Sequence, residues 1–473
     1  MPTAHQRSLG AYYTPEHITT HMVNQLFNIT PTSTILEPSG GDGAFITALL
    51  NHPTHNIKPH QITVHDINPN VANTITSHGV TFTHTDTLLP EHPPTPAPTH
   101  IIGNPPYLNK HSHYIRTHRT QLAHTYKNIG ANDTYAMFTY RALADLAPGG
   151  QLIYLLSDTW LTLATHTRLR AHLLTHTITS ITLLPDDTFG DANVRTCILN
   201  ITKTPPPPEH TIAIHNHRHT PATTIHIDQT TIINHPRHVI AHTPETINAL
   251  AVAANCPTRL YDHLDGGLGL HTGDNATYLQ LITDTTDHTT INGTDWRYYH
   301  KTGGRQRWYA PVDHAIKWDP TSQQHYGIPA SALAGTTADG HDRPGILISG
   351  ISSQLTARRA TKNALWESNK AFIVFPKNPD THPPEFFTAI LNSNWYTTYA
   401  HAINHTVSLQ TRDIKQLPLL PFTDDEIRRL ATLGAEAIAD TRDGHTGEPA
   451  ATTTINTIVN AAAARAARPT ETN

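Results

Sequence analysis

The strongest constraint on the fold of this chain is the regular alternation of short apolar segments with longer helical segments in residues 1–203. Parallel strands need a crossover connection, usually a helix, so the alternation predicts a parallel sheet with helices on both faces. The fold class is therefore α/β, with a Rossmann-like first domain. Helices are predicted over 44–51 and 135–146. The predicted strands are Thr34–Leu36, Ile62–His65, Ile101–Gly103, Gln151–Leu156 and Ile178–Leu184, with a last strand in 194–203.

A run of four prolines, Pro205–Pro208, marks the predicted end of this first domain. Such a run is stiff and cannot join the interior of a sheet, so we assign 1–203 to the first domain and 204–209 to a linker. Residues 210–422 contain short β-like runs and few helical signals, which predicts a mixed, loop-rich α+β domain. The predicted last segment, 423–473, is a helix that begins with acidic residues, followed by a polar tail.

Composition excludes several classes of protein. No stretch approaches 18 uninterrupted apolar residues, so we expect no membrane span. Cys197 and Cys256 are too few for a disulfide framework or a Cys-rich zinc site, and they suit the reducing cytoplasm. His215, His217 and His219 have the spacing of metal ligands. Because the chain contains 37 histidines throughout its length, we expect these three to be loop residues and predict no metal site.

A glycine-rich turn follows the first predicted strand, where residues 37–43 have the sequence EPSGGDG. Glycines such as Gly41 and Gly43 let the backbone pack close to a ligand at the carboxyl edge of a sheet. A dinucleotide-binding turn would have a third glycine where Ile46 stands, and the carboxylate of Glu37, next to Pro38, would repel a pyrophosphate. That carboxylate suits a cationic ligand, such as the sulfonium and ammonium of S-adenosylmethionine. An ordinary turn between a strand and a helix is the alternative.

Two further acids follow the next predicted strands. Asp66 ends the strand over 62–65, where a ribose diol would be hydrogen-bonded, and Asp86 follows a run over 80–83, where it could receive the exocyclic amine of an adenine. Each acid alone could equally be a helix cap or a loop residue. Acids at three successive strand ends favour a nucleoside site.

Asn104, Pro105, Pro106 and Tyr107 form the most informative motif, directly after a predicted strand. Two consecutive prolines impose a rigid, extended backbone. The Asn104 amide oxygen and the Pro105 carbonyl could together accept both hydrogens of a planar amino group, such as N6 of adenine. The lone pair of this amine is delocalised into the ring, and two acceptors would free it to attack a methyl carbon. Tyr107 would stack on the base.

These motifs resemble those of the γ-class N6-adenine DNA methyltransferases of restriction–modification and phage-exclusion systems. Residues 10–16 (GAYYTPE) are similar to the N-terminal cofactor motif of that family, and the glycine turn and the Asn-Pro-Pro-Tyr motif follow in the family's order. The resemblance implies an S-adenosylmethionine-dependent methyltransferase domain, with the cofactor contacted by Tyr12, Thr14 and Asn104. It also implies that Phe189 packs against the face of a flipped adenine opposite Tyr107.

The second half of the chain resembles the target-recognition domains of the same family. Between positions 297 and 377 there are eleven Lys and Arg and five Asp and Glu, an excess of six positive charges. Positive charge of this kind suits DNA phosphates, although a solvated surface is the alternative. The candidate DNA-binding residues are Arg305, Arg307, Trp308, Arg358, Arg359 and Lys362.

The resemblance implies an enzyme that transfers a methyl group from S-adenosylmethionine to N6 of a flipped adenine in a specific double-stranded DNA sequence. Its partners would be double-stranded DNA and either a separate restriction endonuclease or the subunits of a phage-exclusion complex. Its expected location is the cytoplasm, at the nucleoid. Two alternatives stay open. An Asn-Pro-Pro-Tyr methyltransferase can act on a protein glutamine or an RNA base, and the chain could be a non-catalytic DNA-recognition subunit of a defence complex.

Overall fold

The structure is a computed structural model that describes residues 14–89, 93–189, 194–283, 286, 288–291, 294–326, 343–362, 364–368, 370–445 and 447–468. The chain divides into two compact units, Met1–His242 and Thr243–Asn473, which we call unit 1 and unit 2. Among the described residues, none of the helices is both long enough and apolar enough to span a bilayer.

Unit 1 is an α/β unit built on one sheet, which confirms the predicted fold class. Its strands are β1 Ile35–Glu37, β2 Ile62–Asp66, β3 Thr81–His84, β4 His100–Gly103, β5 Gln151–Ser157, β6 Thr177–Leu183, β7 Thr196–Thr202, β8 Thr211–Asn216 and β9 Thr223–Asp228. Its described α-helices are α1 Glu16–Val23, α2 Ala44–Leu50, α3 Ala72–Thr76, α4 His113–Thr117, α5 Arg119–Thr125, α6 Thr134–Asp145, α7 Thr167–Leu173 and α8 Gln229–Asn234.

The strand order within the described part of this sheet is β3-β2-β1-β4-β5-β7-β6-β8-β9. Strands β1 to β5 are parallel, and the chain direction across the sheet reverses between β1 and β4, which leaves a crevice at their carboxyl ends. Central β5 is buried at all seven positions, as a strand covered on both faces should be. Strand β7 is antiparallel to β5 and β6, unlike the parallel sheet that we predicted.

The boundary between the units differs from the predicted one. The proline run joins β7 to β8 as a loop, and β8 then pairs with β6 in parallel, with Ile181 opposite Ile214. Residues 210–242 therefore complete unit 1. The prolines are outside the sheet, as their lack of an N–H requires, but a stiff loop need not be a linker between domains.

Two predictions about cysteines and histidines can be compared with the structure. Cys197 and Cys256 are buried free thiols. His215 is in strand β8 rather than in a loop, and its Nδ1 is 3.0 Å from the Thr224 hydroxyl. No group of three or more His, Cys, Asp or Glu side chains in the described residues is arranged to hold a metal ion.

Unit 2 contains two four-stranded sheets, as described, of order β10-β17-β14-β15 and β11-β13-β12-β16. The strands are β10 Leu264–Gly267, β11 Leu279–Leu281, β12 Trp296–His300, β13 His314–Lys317, β14 Ile346–Ser349, β15 Ala357–Arg359, β16 Leu365–Trp366 and β17 Ala371–Pro376. The described helices are α9 Pro244–Ala254, α10 Asn275–Tyr278, α11 Pro320–Tyr326, α12 Pro384–Leu391, α13 Asn394–Ile403, α14 Thr411–Ile414, α15 Asp424–Arg442 and α16 Ala451–Ala466.

The last two helices belong to the core of unit 2 rather than to a separate segment. In α16, Ile455, Val459 and Ala462 are buried at helical spacing, so the alanine-rich sequence that we predicted to be a tail packs as an amphipathic helix. In α15, a Cβ atom at Gly434 would lie 2.3 Å from the Glu385 carbonyl oxygen, so only glycine permits this close approach to α12.

Candidate active site

A cavity of about 210 Å³ opens in unit 1 at the carboxyl ends of β1, β2 and β4. It is the crevice that the sheet order predicts for a ligand. Most residues that the sequence singled out for a cofactor lie around it, namely Thr14, Glu37, Pro38, Gly41, Asp66, Asp86, Asn104 and Pro106. Gly43, Pro105, Tyr107 and Phe189 are not among its lining residues. Tyr12 lies outside the described residues.

The glycine turn has the close contacts that its sequence predicts. A Cβ atom at position 40 would lie 2.3 Å from Cγ1 of Val64, so the turn packs directly against β2. Gly41 and Gly43 have φ angles of +54° and +82°, which favour glycine, and Gly43 precedes the first residue of α2. The backbone of the turn can therefore form the floor of the cavity, with no side chain between it and a ligand.

Glu37 is the most unusual residue of the cavity. Its side chain is almost fully buried, with 1% exposed, and within the described residues no donor reaches its Oε2 atom. Burial raises the pKa of Glu37 well above its usual range, and the nearby charges of Asp42 and Asp66 raise it further. A buried carboxylate with an unused acceptor needs a cationic or donor partner. The ammonium or sulfonium of S-adenosylmethionine fits that need.

Asp66 fixes the glycine turn to the end of β2. Its Oδ2 accepts a hydrogen bond of 2.9 Å from the Gly41 N–H, and its Oδ1 accepts one of 2.7 Å from the Asn68 N–H. A carboxylate has about four lone-pair sites, so these two bonds orient Asp66 and leave acceptors for a ligand in the cavity. Asp66 can therefore both stabilise the loop and bind a ligand, so the two alternatives given for it from the sequence are compatible.

Asp86 is held by a residue that the sequence analysis did not single out. The Tyr114 hydroxyl lies 2.8 Å from Oδ2 and 3.1 Å from Oδ1 of Asp86, and the Leu88 N–H donates to Oδ1 at 2.9 Å. Tyr114 lies on α4 and lines the same cavity. Burial and the charge of Asp86 raise the pKa of Tyr114, so this hydroxyl keeps its proton.

The Asn-Pro-Pro-Tyr loop is fixed from both ends. The Asn104 side-chain NH₂ donates to the Thr14 hydroxyl at 3.1 Å, and the Ser39 hydroxyl donates to the Asn104 carbonyl at 3.3 Å. Beyond the prolines, the buried Thr134 hydroxyl donates to the Pro106 carbonyl and accepts a 2.9 Å hydrogen bond from the Leu108 N–H. No role was predicted for Thr134 from the sequence.

Within the described part of the chain, the carbonyl oxygen of Pro105 accepts no hydrogen bond, whereas that of Pro106 is used by Thr134. Because the Asn104 NH₂ group donates to Thr14, its amide oxygen is the atom that can serve as an acceptor. These are the two oxygens proposed from the sequence as acceptors for a planar amine.

Tyr107 is anchored at its hydroxyl, which donates to the Leu155 carbonyl oxygen at 3.1 Å. Burial raises the pKa of Tyr107 well above its usual range, so the hydroxyl remains a donor. The edge of the Tyr135 ring meets it, with 5.9 Å between ring centroids. Phe189 is half-buried and packs against the apolar core of unit 1, directly before four residues that are not described.

The candidate DNA-binding residues of unit 2 are not equally accessible. Arg305 and Lys362 are exposed. Arg307 is paired with Glu448 at 3.2 Å, and Arg359 is paired with Glu385 at 2.9 Å. Trp308 and Arg358 are buried, with 2% and 6% of their surface exposed, so in this conformation neither can lie against a DNA groove. The positive charge at 297–377 is therefore partly internal, which a charge count cannot reveal.

The sheet order, the antiparallel β7 and the cavity beside a glycine turn together define unit 1 as a Rossmann-like α/β unit with a ligand-sized crevice. Residues 2–231 match the family described as N-6 DNA Methylase. These residues, just under half of the chain, are similar to that family and contain the glycine turn and the Asn-Pro-Pro-Tyr motif.

Two curated relatives match a shorter part of the chain. Type II methyltransferase M.HincII of Haemophilus influenzae is 29% identical over 157 residues, which are 32% of this chain and 28% of that protein. Type II methyltransferase M.HindII, also of Haemophilus influenzae, is 29% identical over 157 residues, or 32% of this chain and 27% of that protein. The matched part thus spans less than a third of each relative.

Two solved structures share the fold over a longer part of the chain. The Type IIL restriction-modification enzyme MmeI, solved in complex with DNA, has a TM-score of 0.64 at 12% identity and covers 100% of this chain and 78% of its own. A nuclease-deletion mutant of the Type ISP enzyme LlaGI, solved with a DNA substrate mimic, has a TM-score of 0.55 at 11% identity, over 90% of this chain and 54% of its own. At such low identity these matches show the fold alone.

Proposed function

We propose that this chain is a DNA methyltransferase that transfers a methyl group from S-adenosylmethionine to N6 of adenine in a specific double-stranded DNA sequence. The observation that carries the proposal is one cavity lined both by the buried Glu37, whose Oε2 atom meets no donor among the described residues, and by Asn104 and Pro106 of the Asn-Pro-Pro-Tyr loop. The family of residues 2–231 supports it. As part of a restriction–modification or phage-exclusion system, the enzyme would work beside a separate endonuclease or exclusion subunits.

Each acid around the cavity has a proposed role in holding the cofactor. S-adenosylmethionine supplies an electrophilic methyl group on a positively charged sulfur. Glu37 would stabilise the cationic end, Asp66 would accept from the ribose hydroxyls, and Asp86 would accept from the adenine amine. Thr14 lines the cavity and accepts from the Asn104 side chain, so it would couple the methionyl end of the cofactor pocket to the catalytic loop.

The catalytic loop would activate the target amine by hydrogen bonding alone. The Asn104 amide oxygen and the Pro105 carbonyl oxygen would accept the two amine hydrogens. The lone pair would then be less delocalised into the purine ring and free to attack the methyl carbon. The adenine must leave the DNA stack to reach the loop, at a cost of a few kcal/mol. Stacking on Tyr107, with Phe189 on the opposite face, would offset that cost. No general base is required before the attack.

A methyl-transfer assay tests the proposal and separates it from its alternatives. The protein is incubated with methyl-tritiated S-adenosylmethionine and double-stranded DNA, and the DNA is digested to nucleosides. The expected product is labelled N6-methyldeoxyadenosine. Label in RNA or in a protein glutamine, with none in DNA, would favour the first alternative, and DNA binding without any transfer would favour a recognition subunit.

Thr134→Val is expected to slow methyl transfer while cofactor affinity stays near normal. The change removes the hydroxyl that bonds the Pro106 carbonyl and the Leu108 N–H. Two lost hydrogen bonds of about 1 kcal/mol each correspond to a fall in kcat of roughly tenfold or more if the loop loses its alignment. Single-turnover rates at saturating cofactor and DNA measure the effect.

Thr139→Val is the matched control for this test. Thr139 is equally buried on the same helix, and among the described residues its hydroxyl bonds only the Tyr135 carbonyl of that helix. We expect Thr139→Val to keep the wild-type rate of methyl transfer. Thr134→Ser, which retains the hydroxyl, should have most of the wild-type rate. Equal rates in Thr134→Val and the wild type would show that the hydroxyl does not align the loop.

Arg305 and Lys362 are the proposed DNA contacts, because they are the exposed members of the predicted set. Replacing both by alanine is expected to weaken binding to all DNA sequences alike. Each phosphate contact contributes about 0.9 to the slope of log K against log salt, so the slope should fall by about 2. Fluorescence anisotropy over a salt series measures it. The exposed Arg428, paired with Asp425, provides an arginine control, and an unchanged slope in the double variant would remove these residues from the interface.

A further inference from the structure

The cavity contains a residue pair whose chemistry goes beyond its proposed role in holding a cofactor. Tyr114 donates its hydroxyl to both carboxylate oxygens of Asp86, at 2.8 Å and 3.1 Å. Both residues line the cavity. A hydroxyl that reaches both oxygens restrains the rotation of the carboxylate as well as its position.

The hydrogen bonds of Asp86 define what it can still accept. The Tyr114 hydroxyl reaches both oxygens, and the Leu88 N–H takes a second site on Oδ1. An ionised carboxylate only accepts, through about four lone-pair sites. The remaining capacity is therefore on Oδ2, and it can receive an N–H group but not a carbonyl oxygen.

The surroundings of the pair suit a flat heterocycle. The cavity is lined by the apolar side chains of Ile67, Val71, Leu88 and Phe138 as well as by polar residues. Apolar walls with a few placed polar groups are typical of sites that bind small molecules. Among the acids of this lining, Asp86 is held by a tyrosine hydroxyl.

We propose that Tyr114 is a positioning residue that orients Asp86 so that the cavity selects a 6-amino purine and rejects a 6-oxo purine. The inference rests on the proposed function, since it concerns the adenine end of the proposed cofactor. The Tyr114–Asp86 pair, rather than Asp86 alone, sets the preference. A 6-oxo group would place its oxygen against the remaining acceptor site on Asp86 Oδ2, and neither of these two oxygens could donate to the other.

The test compares two thioethers that differ at position 6 of the purine and in the proton on the adjacent N1, S-adenosyl-L-homocysteine and S-inosyl-L-homocysteine. Calorimetry on the full chain gives the dissociation constant of each. We expect the wild type to prefer the 6-amino compound by at least about tenfold, the effect of one hydrogen bond to a charged group. In Tyr114→Phe the preference should fall by at least about fivefold. In Asp86→Asn it should be lost, because the amide can donate to a 6-oxo group.

Tyr126→Phe is the matched control. Its hydroxyl donates to the Leu88 carbonyl, two residues after Asp86. Tyr126 therefore holds the loop that contains Asp86 without a hydrogen bond to the Asp86 carboxylate. This variant should keep the wild-type preference. The double variant Tyr114→Phe with Asp86→Asn should match Asp86→Asn alone, as expected for two residues that act as one unit.

The outcomes separate this inference from the proposed function. A wild type that binds neither thioether overturns the proposed function. A wild type that binds S-adenosyl-L-homocysteine, with an unaltered preference in Tyr114→Phe, overturns only the inference, as does an equal loss in Tyr126→Phe. Should Tyr114→Phe fail to fold, Tyr114→Gln retains a donor and should retain part of the preference. Failure of both variants to fold would assign Tyr114 a purely structural role and also overturn the inference.

Discussion

Asn104→Ala is expected to lower the rate of methyl transfer by at least about 100-fold at saturating cofactor and DNA, with the affinity for S-adenosyl-L-homocysteine near normal. The change removes one of two acceptors that act on the amine in the transition state, and loss of one such group costs about 100- to 1,000-fold in kcat. Its bond to Thr14 is a neutral contact of 3.1 Å, so the cofactor pocket should persist without it. Single-turnover kinetics and calorimetry measure the two quantities separately.

Two variants make the result interpretable. Asn104→Asp keeps an oxygen acceptor and should retain more activity than Asn104→Ala. Asn109→Ala alters an exposed asparagine five residues further on and should leave the rate unchanged. An Asn104→Ala enzyme with the wild-type rate would contradict activation of the amine by this loop. A loss of cofactor affinity as large as the loss of rate would assign Asn104 to the cofactor pocket instead.

Glu37→Gln is expected to weaken the binding of S-adenosylmethionine by about 10- to 100-fold. A hydrogen bond or ion contact to a charged group contributes about 1.5–3 kcal/mol, and the glutamine retains the shape of the side chain but not its charge. The wild type should also bind the cofactor more tightly as pH rises. Burial raises the pKa of Glu37 in the free protein, so the carboxyl is protonated over a wider pH range than usual, and a cation binds best once it is ionised.

The sign of this pH dependence follows from linkage. A bound cation favours ionised Glu37, so binding releases a proton below the raised pKa, and affinity gains with pH until that pKa is passed. Calorimetry from pH 5 to about pH 9 should show the slope in the wild type and a flatter curve in Glu37→Gln. Asp42, whose pKa burial also raises, is the control, since Asp42→Asn should keep most of the slope. Parallel curves in the wild type and Glu37→Gln would contradict the role of Glu37.

Much of the site could be predicted because strand ends are marked in the sequence. Glu37, Asp66 and Asp86 each follow a short apolar run, and parallel strands bring their carboxyl ends to one edge, where the cavity lies. The Asn-Pro-Pro-Tyr motif was equally visible, because two prolines restrict the backbone locally. These features depend on neighbours in sequence, which is the information a single chain carries.

The features that could not be predicted depend on contacts between distant positions. Tyr114 and Thr134 are 28 and 26 residues from their partners Asp86 and Leu108, and no local pattern indicates either bond. The accessibility of the basic residues could not be predicted for the same reason, since Arg307 is paired with Glu448, which is distant in sequence. We predicted the domain boundary at the proline run, but a stiff loop does not determine whether the next strand, here β8, pairs with the same sheet.

The most direct test of the central claim is modification-sensitive sequencing of chromosomal DNA from three matched cell lines: one without the gene, one with it, and one with the Asn104→Ala gene. We predict N6-methyladenine at one recurrent DNA sequence in the cells with the intact gene, and none at that sequence in the other two. The same methylation pattern in all three, or full methylation by the Asn104→Ala protein, would contradict the account.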